Sequence, residues 1–335
     1  MKPKKVRELL ATYYDQNRNN KLDKGEFLIF DIGRDAEKIG SFFGDPRPER
    51  AQITIYNPTK PIYRQGQRFL IGRVEPEENE QSRLMFFEEF EGVWRLVDEA
   101  PVLGLQDPFH VENVQGWHII GGVQTVYRQD ASLGYRTVFY RYESSIQELI
   151  ENQTITPPFA VGPENMKDIR LIQLPTGQIG LFTRPQGGEA GLGKIAYIEI
   201  KRLEDLESSI PKANITKNQF HDDEWGGVNE LHLLKNGKIG VLGHIAHFDD
   251  SVRHYYAMAF VFDPRTKRAT HMEILTTADD FPSIKPKRSQ LGKVIFSGGL
   301  VRNEDGSADL YVGIGDIASG RIRIHDPFLK YEQNV

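Results

Sequence analysis

The sequence predicts an all-β protein, a five-bladed β-propeller with a short N-terminal helix. Three observations predict it. Runs rich in Val, Ile, Phe and Tyr alternate with clusters of Gly, Pro, Asn and Asp, the pattern of short strands cut by turns. Helical periodicity is scarce. Five segments also repeat one layout: "YNPTKPIYRQGQRFLIGRV", "QDPFHVENVQGWHIIGGVQ", "KDIRLIQLPTGQIGLFTRP", "NELHLLKNGKIGVLGHIA" and "SGGLVRNEDGSADLYVGIGD". Each has a polar or small anchor, a strand, a turn with glycine and a second apolar strand.

The spacing of these parts sets the blades. Asn57, Asp107 and Asp168 each precede a turn glycine (Gly66, Gly116, Gly177) by nine residues, and Asn229 precedes Gly237 by eight. The anchors recur 50, 61 and 61 residues apart, with a fifth near Gly299. Units of about 50–70 residues that each hold a hairpin suit four-stranded blades. The domain reading follows: 1–29 is a helical segment packing on the propeller, and 30–335 is a single propeller. Val6, Leu9, Leu10 and Tyr13 share the face of the first helix, and "SSIQELIEN", residues 144–152, is a second predicted helix.

Composition excludes several classes. Of 335 residues, 39% are hydrophobic and 27% charged, the balance of a soluble globular protein. A net charge of −5 does not favour nucleic acid. Cysteine is absent, which removes disulfides, thiolate metal sites and a cysteine nucleophile. "MKPKKVRELLATYY" lacks the apolar core of a secretory signal, and runs such as "AMAFVF" are too short to span a bilayer. A cytoplasmic protein without membrane or nucleic-acid partners is expected, with its oligomeric state open. No P-loop, dinucleotide fingerprint, G-x-S-x-G elbow or H-E-x-x-H motif occurs. No metal is expected: only "GHIAH" spaces histidines closely, and His244 and His247 alone do not make a zinc site. "DQNRNNKLDKGE", residues 15–26, resembles a calcium loop, but Asn20 stands where its glycine belongs and "FLIFDIG" reads as a strand.

The hairpins assemble a site. The start of a hairpin's first strand and the end of its second lie at one edge. Arg73, Arg184 and His244 each follow the turn glycine by seven residues, and the fifth segment ends at Asp316. Ring closure therefore brings Asn57, Asp107, Asp168, Asn229 and Glu230 to one mouth with Arg73, Arg184, His244 and Asp316. Lys167 and Glu75 join them from the adjoining positions, with Glu80 a weaker candidate; "RVEPEENEQS" otherwise reads as a solvated loop. Plainer readings exist. Asp107 before proline suits a turn, the acids and cations suit ion pairs, and Trp117 and Trp225 suit core packing as well as a sugar platform. The chemical reading is a phosphate cradle, because guanidinium forks match phosphate and Lys or His adds point charge. A carboxyl such as Asp107 acts as a general acid where its pocket raises its pKa.

The runs "IGRVEPEENEQS", "GLQDPF", "KDIRLIQLPTGQIGLFTRP", "GHIAHFDD", "VIFSGGLV" and "YVGIGD" come in an order that resembles the mannosyltransferase/phosphorylases of glycosyltransferase family 108. It also resembles the mannoside phosphorylases of glycoside hydrolase family 130. The resemblance covers residues of about 30 to 330 and implies a five-bladed propeller. It implies that Asp107 donates the proton and that Arg73 lines the sugar site. Lys167 and Asp168 match a basic–acidic pair, Arg184 and His244 match phosphate-pocket positions, and Asp316 matches an acid that holds sugar hydroxyls. Phe109 departs from family 130, which usually has arginine after "DP".

The expected reaction is inverting phosphorolysis of β-mannosides, with the β-1,2 linkage implied by the resemblance alone. Mannose 1-phosphate is released, and reversal builds a mannan chain. Inverting hydrolysis needs an acid and a base, whereas phosphate is already an anionic nucleophile and needs cations and one opposing acid. Lys167, Arg184 and His244 would bind phosphate; Asn57, Arg73, Glu75, Asp168, Glu230 and Asp316 would bind sugar. Inorganic phosphate is a co-substrate and no cofactor is expected. A hydrolase, a GDP-mannose-dependent transferase and a non-catalytic carbohydrate-binding propeller are the alternatives.

Overall fold

The computed structural model describes residues 4–19, 23–44, 53–78, 80–128, 130, 132–143 and 157–332. It begins with helix α1 (Val6–Asn19), two short strands β1 (Glu26–Phe27) and β2 (Ile29–Phe30), and helix α2 (Ile32–Ser41). Five antiparallel meanders follow. The first comprises β3 (Ile53–Tyr56) and β4 (Ile62–Arg64), both along β5 (Gln67–Pro76), then β6 (Arg83–Phe90) and β7 (Val93–Leu96). The second comprises β8 (Gln106–Val114), β9 (Trp117–Tyr127), β10 (Leu133–Tyr142) and β11 (Ala160–Val161). The third comprises β12 (Arg170–Gln173), β13 (Ile179–Thr183), β14 (Ala196–Ile200) and β15 (Asn214–Ile215), with α3 (Leu206–Ser209) inserted. The fourth comprises β16 (Glu224–Leu233), β17 (Ile239–Asp249) and β18 (Val252–Asp263), with β19 (Arg268–Ala269) and β20 (Glu273–Thr276) on the edge of β18. The fifth comprises β21 (Lys293–Arg302), β22 (Ser307–Ile314) and β23 (Ala318–His325), before α4 (Leu329–Glu332).

The N-terminal segment does more than pack as a helix. β1 pairs with β23 and completes the last meander, while β2 runs parallel to β7 of the first. The two ends of the chain's β-structure are thereby tied together. Ser319 Oγ donates to Ile55 O at 2.9 Å, and β22 and β23 contact β3. Between successive meanders lie apolar layers. Ile71 and Phe86 of the first meet Ile120 and Val138 of the second, and Phe109 and Ile119 of the second meet Leu171 and Leu181 of the third. Phe182 of the third meets Val241 and Phe262 of the fourth, where Val6, Leu9 and Tyr13 of α1 also dock. Leu242 and Ala257 of the fourth meet Ile295 and Leu310 of the fifth. Alternation along each strand sends one set of side chains to each neighbour, so both faces are apolar.

Helix α2 is a difference from the expected pattern. Asp31 caps it by accepting from Arg34 N at 3.4 Å, and its Ile39 packs under Val74 and Trp94. Gly33 and Gly40 lower its intrinsic propensity, so packing on the first meander stabilises it. The helix expected at 144–152 lies outside the described residues. Asp15 to Asn19 continue α1, so the first five positions of the calcium-like run are helix rather than loop; residues 20–22 lie outside the described residues.

Two devices aim the site. The hairpin turns close on Gly66, Gly116, Gly177, Gly237 and Gly306, all with φ between 75° and 86°, which glycine adopts without a Cβ penalty. The innermost strands carry register shifts at Gln106/Phe109, Val228/Glu230 and Ser297/Gly299. Such bulges leave a residue unpaired and re-aim it. Pro108 costs β8 no ladder bond there, because it has no N–H to lose. Asn57, Asp107 and Asp168 share left-handed φ values of 47°, 49° and 54°, a conformation that Asn and Asp tolerate.

Candidate active site

At the anchor end of the innermost strands, two arginine–carboxylate pairs stand side by side. Arg73, on β5, donates from Nη1 to Asp107 Oδ1 at 3.0 Å, and Asn57 Nδ2 donates to the same oxygen at 2.8 Å. Arg184, just past β13, donates from Nη1 to Asp168 Oδ2 at 3.0 Å. Gly227 makes room for this pair: a Cβ there would lie 2.5 Å from Asp168 Oδ2.

Glu75 sits behind Arg73 and is fully buried. Arg73 Nε and Nη2 donate to Glu75 Oε2 at 3.2 and 3.1 Å, and Tyr56, Ser82 and Lys287 donate to the same carboxylate. Arg73 also stacks on Tyr56, with 4.7 Å to the ring centre. Glu75 therefore orients Arg73. Its oxygens are occupied by these donors, and it forms part of the wall of the pocket. Asp316, in the turn just after β22, faces the same cavity of about 90 Å³ with Tyr56, Arg73, Lys287 and Leu291.

The charges differ in kind. Burial by itself would raise the Asp107 carboxyl, but Arg73, Lys167 and the Asn57 amide outweigh it and hold it below the usual range. Burial pushes the Asp316 carboxyl up, and the negative charges of Asp107 and Glu75 outweigh part of the pull of Arg73 and Lys287. Lys167 is pushed down by desolvation; Asp107 and Asp168 pull it up while Arg73 and Arg184 oppose them. Its ammonium lies 4.4 Å from the Tyr135 ring centre. Arg73, Arg184 and Lys287 each have a carboxylate partner. Lys167 has no carboxylate within ion-pair distance among the described residues; its nearest charges act on it from further off.

His244 reaches the cluster from β17, with Nε2 3.9 Å from Asp168 Oδ2. Its Nδ1 donates to Asn229 Oδ1 at 2.9 Å, and its ring stacks on Tyr255. Burial pulls it down to about 4, so at neutral pH it is an uncharged hydrogen-bonding group. The point charge expected of it is not there. His247 lies apart from it, stacked on His254, because residues three apart on a strand point to opposite faces.

The cluster unites Asn57, Arg73, Glu75, Asp107, Lys167, Asp168, Arg184, His244 and Asp316. Glu230 does not join it. The bulge at Val228/Glu230 turns Glu230 into a separate cavity, where it pairs with Lys60 at 2.6 Å and His232 at 3.0 Å. Three residues of the cluster were not foreseen: Arg170, Lys287 and Tyr56. Arg170 stands two residues after Asp168, and strand alternation was the signal for it. Its guanidinium lies 4.3 Å over the Phe109 ring, and Nε donates to Asn229 O at 2.7 Å. Burial pulls Arg170 down to about 10, so it stays a cation. The third meander thus supplies a positive charge beside the phenylalanine that stands where family 130 usually has arginine.

Comparison with known proteins agrees with this arrangement. The family model described as "Protein of unknown function (DUF1861)" matches residues 51–330. The structure of MPT-4, a mannose phosphorylase from Leishmania mexicana in complex with phosphate, superposes with a TM-score of 0.81 at 28% identity over 97% of this chain and 95% of that one. MPT-1, a GDP-Man-dependent mannosyltransferase from Leishmania mexicana, gives 0.78 at 31% identity over 95% and 94%. This chain belongs to the mannosyltransferase/phosphorylase family. The family is one of enzymes. A β-1,2-mannobiose phosphorylase from Listeria innocua, at 11% identity and a TM-score of 0.58 over 86% and 95%, shares the fold. No curated protein matches the sequence. Among the described residues no helix is long and apolar enough to cross a membrane.

Proposed function

We propose that this protein is an inverting mannoside phosphorylase, a five-bladed propeller from about residue 30 onward with one catalytic mouth. It transfers a mannosyl group between a β-mannoside, β-1,2-linked by resemblance, and inorganic phosphate. The observation that carries the reading is Lys167. It feels both Arg73 and Arg184 and has no carboxylate within ion-pair distance among the described residues, and an anion beside it would relieve the repulsion among the three cations. The similarity to a mannose phosphorylase solved with phosphate supports the same anion.

The reaction balances without a cofactor. A phosphate oxygen attacks the anomeric carbon from the face opposite the leaving oxygen. The C1–O bond to the aglycone breaks, a C1–O–P bond forms, and the leaving oxygen takes one proton. Inversion of a β-mannoside leaves α-mannose 1-phosphate. Lys167 and Arg184 hold phosphate, His244 adds a neutral hydrogen bond, and Asp107 supplies the proton, directly or through a sugar hydroxyl. Asp107 is ionised in the free site. Phosphate partly cancels the pull of Lys167 and Arg73 and so raises Asp107 toward a working acid. Asp316, whose carboxyl burial pushes up, and Asp168 face the sugar.

The test is incubation with β-1,2-mannobiose with and without phosphate. Mannose 1-phosphate formed only with phosphate is the expected product. Mannose released equally without phosphate sinks the reading in favour of a hydrolase. A GDP-mannose-dependent transfer is the second reading, favoured by the 31% identity to MPT-1. Its signature is mannosyl transfer from GDP-mannose without phosphate dependence.

A further inference from the structure

Beside Glu230, on the other side of Arg170 from Asp168, lies a cavity of about 480 Å³, lined in part by Lys60, His110, Glu112, Arg170 and Glu230. His110 and Glu112 alternate on β8 and share a face. His118 lies on the same face of β9, because His110 pairs with Ile120 two residues further on. The second register shift of β8, at Val111/Val114, sets Glu112 opposite His118. The ring stack of His110 and His118, with centroids 5.8 Å apart, holds the two imidazoles together.

The ligand atoms of His110, Glu112 and His118 all lie within 4.8 Å of one another. His110 Nε2 and His118 Nδ1 are buried and have no hydrogen-bond partner among the described residues. Two unpartnered buried imidazole nitrogens facing one carboxylate are costly as they stand, since a buried polar atom without a partner loses its hydration uncompensated. A cation would satisfy all three at once. Zinc bonds of about 2.0–2.2 Å keep tetrahedral ligands about 3.4 Å apart, so side-chain rotation of about 1 Å closes the set.

We propose that His110, Glu112 and His118 bind a divalent transition-metal ion of the zinc class. Two nitrogens and one oxygen suit zinc or cobalt, whereas calcium and magnesium take oxygen ligands. Three protein ligands leave a coordination position open, and the cavity lined by His110 and Glu112 supplies the route in. The ion would clamp β8 to β9 at the end opposite Asp107, on the very strand that carries Asp107. The sequence concealed the site because the ligands are spaced H-x-E-x5-H across a bulged hairpin, a spacing set by register.

The test uses tag-free full-length protein, equilibrium dialysis against zinc, and the visible absorption of cobalt. One zinc per chain is expected, together with the intense bands of four- or five-coordinate cobalt and a rise in Tm on adding zinc. His118→Gln should weaken zinc at least about 100-fold, since losing a ligand exceeds the about 10–100-fold cost of losing an outer-shell partner. Glu112→Gln, at an exposed position, serves as the second variant should His118→Gln not fold. His247→Gln and Asp107→Asn should bind as the parent does. Absence of zinc at micromolar concentrations overturns the proposal, and so does equal binding by the parent and both ligand variants.

Discussion

Arg73 and Asp107 come from different meanders and meet at 3.0 Å, with Glu75 fixing the arginine from behind. The contact joins a strand end of the first meander to the bulge of the second. It also keeps the carboxyl expected to donate a proton ionised until something negative arrives.

Asp107→Asn removes that carboxyl with little change in shape. Turnover should fall about 10²–10⁴-fold, the usual worth of a general acid, while the melting curve stays cooperative. Mannose 1-phosphate release is the readout. Activity within twofold of the parent would transfer the acid role to Asp316.

Phosphate should raise Tm, because it binds the folded site; at 100 times its Kd the gain is about 2.7 kcal/mol. Lys167→Met should erase most of this rise and increase the KM for phosphate about tenfold or more, the worth of one hydrogen bond to a charged group. Unaltered phosphate affinity in this variant would remove Lys167 from the anion site.

Asp316 carries a raised carboxyl. A group raised on folding contributes its stability below its unfolded pKa and loses it as pH rises through the folded value. At neutral pH its burial is therefore a cost. Asp316→Asn should melt higher than the parent at pH 7 and turn over more slowly. Thermal melts at pH 5 and pH 8 decide it: a gain that does not grow with pH contradicts the assignment.

His244 is depressed from 6.5 to about 4 by burial. The unfolded chain binds a proton through that interval and the folded one does not, so stability is complete above pH about 6.5 and falls toward pH about 4. His244→Gln should flatten the Tm-against-pH curve in this window. Persistence of the full slope would place the acid sensitivity elsewhere.

Gly227 offers a steric test. Gly227→Ala would put a Cβ 2.5 Å from Asp168 Oδ2. Asp168 must swing off Arg184, with a stability cost of about 1–3 kcal/mol from overpacking. Catalysis should suffer more than folding, shown by kcat/KM falling further than Tm implies.

Hairpin geometry was legible in the chain alone. Turn glycines fix the register of a hairpin, so a count of seven residues after Gly66, Gly177 and Gly237 found Arg73, Arg184 and His244 at the right edge. The start of a hairpin's first strand lies at the same edge as the end of its second, and this carried Asn57, Asp107 and Asp168 to one mouth. Helix α2 was hidden because its two glycines dilute its periodicity, and it forms against Trp94 and Val74.

The all-β class, the repeat and the residue types crowded at the mouth followed from local rules of turn, alternation and spacing. Tertiary structure alone decided the surroundings of each residue. One extra residue in a strand turns the next side chains to the other face, and the bulge after Val228 sent Glu230 to Lys60 and away from the mouth. Packing gave Glu75 to Arg73 and Lys287, left Lys167 without an ion-pair partner among the described residues, and set Arg170 over Phe109. Burial then made His244 neutral and raised Asp316. Partners and desolvation belong to the packed ring and not to any single hairpin, because each depends on which charges neighbouring strands bring within a few ångströms.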